Sequence, residues 1–153
     1  MDWGPSDWLG ALEGSAAAAS LRASPWLYPA VETVHIAGFA LLVGAIAVFD
    51  LRTLGLGRGI PAEALARLAV PLAAAGLAAA ALSGTALFIT DAGDLAGNPA
   101  FLLKMLAFAA GLANAAFWHA AARRRPGAAR LSAAASLAVW ITVLTLGRLI
   151  AYV

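Results

Sequence analysis

The residues of this chain that could do chemistry lie inside segments that are otherwise apolar enough to cross a lipid bilayer. Glu32 and His35 stand one helical turn apart in the run WLYPAVETVHIAGFALLVGAIAVFD. Lys104 lies in a second apolar run, and Arg148 lies in a third. An unpaired charge in a membrane helix costs about 2.5–3.5 kcal/mol on insertion scales, so such residues usually face a partner or a ligand.

The depths of these residues predict that they gather in one layer. At a rise of 1.5 Å per residue, Glu32 lies roughly 8 Å and His35 roughly 12 Å below the outer edge of the membrane, and Lys104 and Arg148 each lie roughly 6 Å below it. Tyr28 shares a helix face with Glu32 and His35 at spacings of four and three. We call these five residues, Tyr28, Glu32, His35, Lys104 and Arg148, the outer cluster.

Two interpretations of the outer cluster follow from its chemistry. In the first, it binds an ion, a lipid headgroup or a small molecule. In the second, Lys104 and Arg148 extend outward to the membrane surface alone, Glu32 is a structural salt-bridge partner, and His35 is a hydrogen-bonded histidine of the bundle. We infer that Glu32 pairs with Lys104 or Arg148 inside the bundle and that His35 lies against this pair, since scattered charges facing lipid would be costly.

A second polar layer is predicted near the cytoplasmic side, and it comprises Asp50, Arg52, Asn114 and His119. Charges at the membrane interface cost little, so Asp50 and Arg52 are expected to end the first helix at the cytoplasmic surface and to anchor it, with His119 nearby. Asn114 lies deeper, and we expect it to need a hydrogen-bond partner in the neighbouring helices.

The sequence bounds the cofactors that these residues could hold. His35 and His119 are separated by some 18 Å along the membrane normal at 1.5 Å per residue, so one chain does not place both on one haem. Ligation of a b-type haem by a single histidine stays open. Glu32 and His35 offer two metal ligands, whereas zinc sites use three or four protein ligands. The sequence contains no cysteine, no HExxH motif and no P-loop, and a non-catalytic function is favoured.

Composition indicates which elements position these residues. The chain is 63% hydrophobic and only 12% charged, with a mean hydropathy of +0.86, whereas soluble domains have about 25% charged residues. The net charge of +2 does not point to nucleic acid. The sequence therefore predicts an all-α integral membrane four-helix bundle over residues 25–153. It is preceded by an extracytoplasmic segment, residues 1–24, which is expected either to form a short amphipathic helix on the membrane surface or to stay an unstructured tail. The predicted spans are about 27–49, 68–90, 100–121 and 131–152.

Basic residues indicate the orientation of these spans. Arg52, Arg58 and Arg67 follow the first span, and Arg123–Arg125 and Arg130 separate the third span from the fourth. The segment DAGDLAGNPA, which links the second span to the third, carries two aspartates and no base. Because loops rich in Lys and Arg stay in the cytoplasm, both ends of the chain are predicted to lie outside.

Small residues recur along the second span, among them Gly76, Ala80, Ser83 and Gly84. In lipid, small side chains let helix backbones approach closely. The pattern is therefore typical either of packing within the bundle or of the interface of a homo-oligomer.

Four stretches of the chain resemble a widespread family of small bacterial four-helix inner-membrane proteins of unknown function. They are SPWLYPAVETVHIAGFALLVG, FDLRTLGLG, NPAFLLKMLAFAAGLANAAFWH and LGRLIAY, and the resemblance covers nearly the whole chain from about residue 22. It includes both polar layers as well as Pro29, Gly38 and Gly147. It implies a multi-pass protein of the bacterial inner membrane. More distantly, KMLAFAAGLANAAFW is similar to a stretch in the membrane domain of copper-resistance protein D, which implies copper handling.

The expected function is that of a non-catalytic integral membrane protein whose outer cluster binds a small ligand, an ion or a partner subunit. A b-type haem or quinone-linked electron-transfer protein is the first alternative, and a component of copper or other ion transport is the second. The expected partners are the lipid bilayer and either a further copy of the chain or a larger membrane complex.

Overall fold

The computed structural model describes residues 5–153, with side chains from Trp8 onward, and the regular elements of this range are all helical. The all-α fold predicted from the sequence is thus confirmed, while residues 1–4 of the predicted N-terminal segment lie outside the described residues. The α-helices of this range are α1 (Pro5–Glu13), α2 (Ala16–Ala23), α3 (Leu27–Leu54), α4 (Ala62–Phe88), α5 (Ala92–Gly97), α6 (Pro99–Ala120) and α7 (Pro126–Leu149), and a 3₁₀ turn spans Ala122–Arg124.

Four of these helices, α3, α4, α6 and α7, are long and apolar enough to cross a membrane. Large apolar side chains such as Ile36, Leu82 and Leu106 are more than half exposed on their outer surfaces, as lipid immersion requires. α3 and α4 extend towards each other beyond the predicted spans, because hydropathy marks the part of a helix in lipid and not the end of its hydrogen bonding. The predicted span 68–90 would place Pro71 in the first turn of the helix. Because α4 begins earlier, at Ala62, Pro71 lies inside it.

The long helices pack in the order α4, α3, α7, α6. α3 lies along α4, α6 lies along α7, and α3 and α7 join the two pairs. The buried core where the pairs meet consists of Phe39, Leu42, Ala80, Trp140 and Val143. We call the end of the helices near residues 54–62 and 120–126, which carries the arginine-rich loops, the inner end, and the opposite end the outer end.

α3 and α4 cross at two glycines. A Cβ atom on Gly38 would lie 2.7 Å from the backbone nitrogen of Ala80, and one on Gly76 would lie 2.5 Å from that of Leu42. Real Cβ atoms do not approach backbone so closely, so glycine is required at both positions. Gly76 and Ala80, two of the small residues singled out in the second span, therefore pack within the chain.

At the outer end, the short helices form a cap over the turn between α4 and α6. The sequence predicts at most one short N-terminal helix, whereas the structure has two, α1 and α2. Ser15 interrupts the segment, because it is the N-cap of α2 and accepts a hydrogen bond from the Ala18 backbone. Arg22 donates to the carbonyl oxygens of Glu13 and Thr90, at 2.6 and 2.9 Å. The Glu13 carboxylate accepts from the Gly93 backbone at 2.7 Å.

Candidate functional site

His35 joins α3 to α4. Its Nδ1 lies 2.9 Å from the carbonyl oxygen of Ala80 and 3.2 Å from the Ser83 hydroxyl. Because a carbonyl oxygen only accepts, Nδ1 carries the proton and donates. The ring also fills the space beside Gly84, where a Cβ atom would lie 2.8 Å from Cε1, and meets Phe39 edge-on at 5.0 Å. His35 is thus a hydrogen-bonded residue of the helix packing, as the second interpretation of the outer cluster expects.

Lys104 reaches from α6 towards the same aromatic ring. Its Nζ lies 5.2 Å from the centroid of Phe39, a distance at which a cation is attracted by an aromatic face. Its side chain runs beside Gly147 of α7, where a Cβ atom would lie 3.5 Å from both Cε and Nζ. His35 and Lys104 therefore both approach the ring of Phe39.

Glu32 and Arg148, the two remaining charged residues of the outer cluster, do not form the predicted ion pairs. The Glu32 side chain is exposed, and Arg148 donates to the hydroxyl of Tyr152 and lies 4.9 Å from that ring. In the range 5–153, no ion pair joins Glu32 to Lys104 or Arg148. The predicted pairing is wrong because residues three apart on a helix still differ by about 60° in direction, so His35 faces α4 while Glu32 faces outward. Tyr28 is half-buried near Glu32 and Asp91.

A cavity of about 250 Å³ lies near the inner end, with walls from all four long helices. We call it the inner cavity. Its lining is mostly apolar and includes the aromatic rings of Phe49, Trp118 and Trp140. The polar residues of the lining are Asp50, Asn114, His119, Ser132 and Ser136. Three of the four residues of the predicted inner layer therefore meet at one cavity.

Asp50 is the unusual residue of this wall. Its side chain is only 5% exposed, and its Oδ2 atom is buried without a hydrogen-bond partner. The Ser136 hydroxyl approaches the carboxylate from α7. The expectation that Asp50 anchors α3 at the cytoplasmic surface is thus wrong, since Asp50 follows Leu42 and Ile46 at intervals of four and lies on the same buried face.

Arg52 and Asp50 point in different directions because they are two residues, or about 200°, apart around the helix. Arg52 donates through Nε to the carbonyl oxygen of Ile60 at 2.7 Å, so it braces the loop between α3 and α4. Of the two residues, Arg52 alone contacts the loop carbonyls, and its anchoring at the cytoplasmic surface stays a prediction. Arg52 makes its hydrogen bonds with loop carbonyls, and the Asp50 carboxylate receives no hydrogen bond from it.

Asn114 finds the partner that its depth requires. Its amide donates to the carbonyl oxygen of Ser132 at 3.0 Å, and the Ser132 hydroxyl donates back to Oδ1 at 3.0 Å. This reciprocal pair fixes α6 against α7 at the cavity wall. Beside it, Trp118 packs edge-on against Phe49 and His119, and its Nε1 donor is buried without an acceptor.

The inner cavity thus combines a buried acceptor, a buried donor and several aromatic rings. A carboxylate removed from water is costly unless a cation or hydrogen-bond donors approach it. Aromatic faces attract the same cations. The arrangement can therefore bind an apolar molecule that ends in a cationic or donor group.

The buried core separates the inner cavity from His35 and Lys104. Leu42 and Trp140 belong to both the core and the cavity wall, and Phe39 closes the core on the outer side. The two polar groups are consequently distinct, and the layer between them is apolar.

The metal and haem alternatives can be compared with the positions of the histidine and acidic side chains among the described residues. Within residues 5–153, no three His, Cys, Asp or Glu side chains come together in a way that would hold a metal ion. His35 lies in the outer half of α3 and His119 at the inner end of α6, so a single haem does not span both.

Comparisons with protein-family models, with curated proteins and with solved structures find no match for this chain. The resemblances noted in the sequence therefore stay predictions, and the proposed function depends on the geometry described above.

Proposed function

We propose that this chain is a multi-pass four-helix protein of the bacterial inner membrane and that it binds a small apolar amine in the inner cavity without chemical turnover. The observation that carries the proposal is the carboxylate of Asp50, which is buried in a cavity wall without a partner for Oδ2. An ammonium group would supply both the missing charge and the missing donors.

The surroundings of Asp50 support an organic cation over a bare metal ion. A metal ion needs several oxygen or nitrogen ligands, whereas the neighbours of Asp50 in this wall are largely aliphatic and aromatic. Phe49 and Trp118 supply aromatic rings to the wall, and such rings attract ammonium groups. Leu77 and Ile46 offer aliphatic surface for the rest of the molecule. The outer cluster is the less favoured site, since His35 already uses its Nδ1–H within the helix packing.

Isothermal titration of the purified protein in lipid nanodiscs with n-octylammonium tests this function. We expect saturable binding to the wild type, and loss of binding in Asp50→Asn because the amide carries no charge. Asp94→Asn is the matched control, since Asp94 is exposed on α5 far from the cavity. Equal affinity in Asp50→Asn, or equally tight binding of octanoate, would contradict the proposal.

A quinol headgroup is the second candidate, because Trp118 Nε1 is a buried donor without an acceptor. One hydroxyl of a quinol could donate to Asp50 while the oxygen of the other accepts from Trp118 Nε1. The two candidates respond differently to Asp50→Asn, since asparagine keeps an acceptor oxygen but not the charge. Retained binding of a decyl-substituted benzoquinol in that variant, with no binding of octylammonium to the wild type, would favour the quinol.

A further inference from the structure

The inner cavity has an open side, and it lies between α4 and α6. These two helices are the ends of the packing order α4, α3, α7, α6, and they are not packed along each other. Cavity-lining residues on both flanks of the gap are exposed, namely Val70 and Ala74 on α4 and Leu112, Ala115 and His119 on α6.

The gap narrows towards the outer end. Phe88, the last residue of α4, stacks on Phe101 in the first turn of α6, with ring centroids 5.6 Å apart and planes within 15°. The short α5 and its flanking turns hold this end together. The two helices therefore meet at the outer end and separate towards the inner end, which leaves a cleft at the depth of the inner cavity.

The residues that line the cleft indicate whether it opens to lipid or to water. Val70, Ala74, Leu112 and Ala115 are apolar, and they belong to helices whose outward surfaces face hydrocarbon. With His119 as the polar residue named on these flanks, the opening is mostly apolar. Such an opening admits molecules dissolved in the membrane, whereas a hydrated ion would have to shed its water to pass. Asp50 lies across the cavity on α3, where it would receive the polar end of a molecule arriving through the cleft.

We propose that the inner cavity is loaded sideways from the lipid phase, through the cleft between α4 and α6. The ligand is then a membrane-dissolved, single-chain molecule whose polar end lies at Asp50 and whose apolar tail leaves between the two helices. The inference rests on the proposed function in taking the inner cavity as the binding site, but the path can be tested without any amine.

The test uses the absence of cysteine from the chain. Ser136→Cys places one thiol on the cavity wall with little change of shape, and the protein is reconstituted into liposomes. We expect hexyl methanethiosulfonate, which dissolves in the bilayer, to modify this thiol, and the anionic sulfonatoethyl reagent in the water to leave it unmodified.

Adding Ala74→Phe, which fills the lip of the cleft, should abolish the modification. Adding Ala75→Phe should not, because Ala75 is also exposed on α4 but outside the cavity lining. Ala73→Cys, on the α4 wall of the cavity, repeats the experiment if Ser136→Cys disturbs the fold.

The proposed path would be overturned by equal modification rates with and without Ala74→Phe, or by modification from the aqueous side at the rate of the lipid-soluble reagent. Failure of the path is distinguishable from failure of the proposed function. Octylammonium binding that depends on Asp50, together with thiol modification insensitive to Ala74→Phe, would refute the path alone. Modification sensitive to Ala74→Phe, without octylammonium binding, would refute the amine alone.

Discussion

Gly38 and Gly76 face each other where α3 and α4 cross, and a Cβ atom on Gly76 would lie 2.7 Å from the carbonyl oxygen of Gly38. The approach is set by backbone atoms on both sides, so no side chain can move away to make room. This contact fixes the distance between the two helices that supply His35, Ser83 and Asp50.

Gly76→Val should therefore destabilise the protein by at least the cost of overpacking a core, about 1–3 kcal/mol. Reversible unfolding in mixed micelles, followed by circular dichroism, measures the loss. Gly44→Val on α3 is the matched control, because a Cβ atom there meets nothing within 4 Å. Equal losses in the two variants would contradict the crossing described here.

Asp50→Leu should make the ligand-free protein more stable. A buried acceptor without a partner costs about 1–3 kcal/mol, and leucine removes that cost in an apolar wall. The thermal midpoint in detergent should rise, while octylammonium binding is lost. Ser136→Ala, a change on the same wall that leaves the carboxylate in place, should not raise the midpoint. A lower midpoint for Asp50→Leu would assign Asp50 a structural role.

His35→Ala should destabilise the α3–α4 pair, because it removes the hydrogen bond to Ala80 and the ring beside Gly84. A hydrogen bond in a membrane protein contributes about 0.6 kcal/mol on average, and the lost ring adds to this. Val34→Ala, at an exposed neighbouring position, should cost less.

Gly84→Ala provides a second readout of the same contact. It should be costly with His35 present, since its Cβ atom would lie 2.8 Å from the imidazole, and nearly neutral in the His35→Ala background. The free energy of unfolding is compared among the wild type, the two single variants and the double variant. If the two substitutions had additive effects on it, the two residues would not be in contact.

The predicted orientation, with the arginine-rich loops in the cytoplasm, can be tested with single cysteines. Gly59→Cys and Gly127→Cys lie at the inner end, and Gly97→Cys lies at the outer end, all at positions with open space for a side chain. In intact cells, an impermeant maleimide should label only Gly97→Cys, because basic loops remain inside. Labelling of Gly59→Cys or Gly127→Cys before lysis would reverse the topology.

The sequence predicts the four long helices well because length and hydropathy are properties of single segments. It also places His35 towards the interior, since an ionisable side chain facing lipid is costly. It does not reveal that His35 faces α4 while Glu32 faces outward. The angle of about 60° between the two residues is fixed by the helix, but which of them faces α4 depends on how α3 is rotated against α4.

The inner cavity was harder to predict for a different reason. Leu42, Ile46 and Asp50 form a stripe at intervals of four, which could have indicated that Asp50 faces inward. The empty volume itself arises from the separation of α4 and α6 and from alanines such as Ala69 and Ala73 on the wall. A cavity of this kind is a property of the relative positions of four helices, and no single segment carries its signal.

Arg22 donates to the carbonyl oxygen of Thr90, 68 positions away, and the Gly93 backbone N–H donates to the Glu13 carboxylate, 80 positions away. During synthesis, the N-terminal helices are therefore made well before Thr90 and Gly93, which under the predicted topology appear only after α3 and α4 have crossed the membrane. Until then, Arg22 and Glu13 stay in water at the outer end, under the predicted topology. Because of this chain order, the cap forms only after α3 and α4 have been made. It is therefore the last contact of the first helix pair to form, after the two helices have packed together at Gly38 and Gly76.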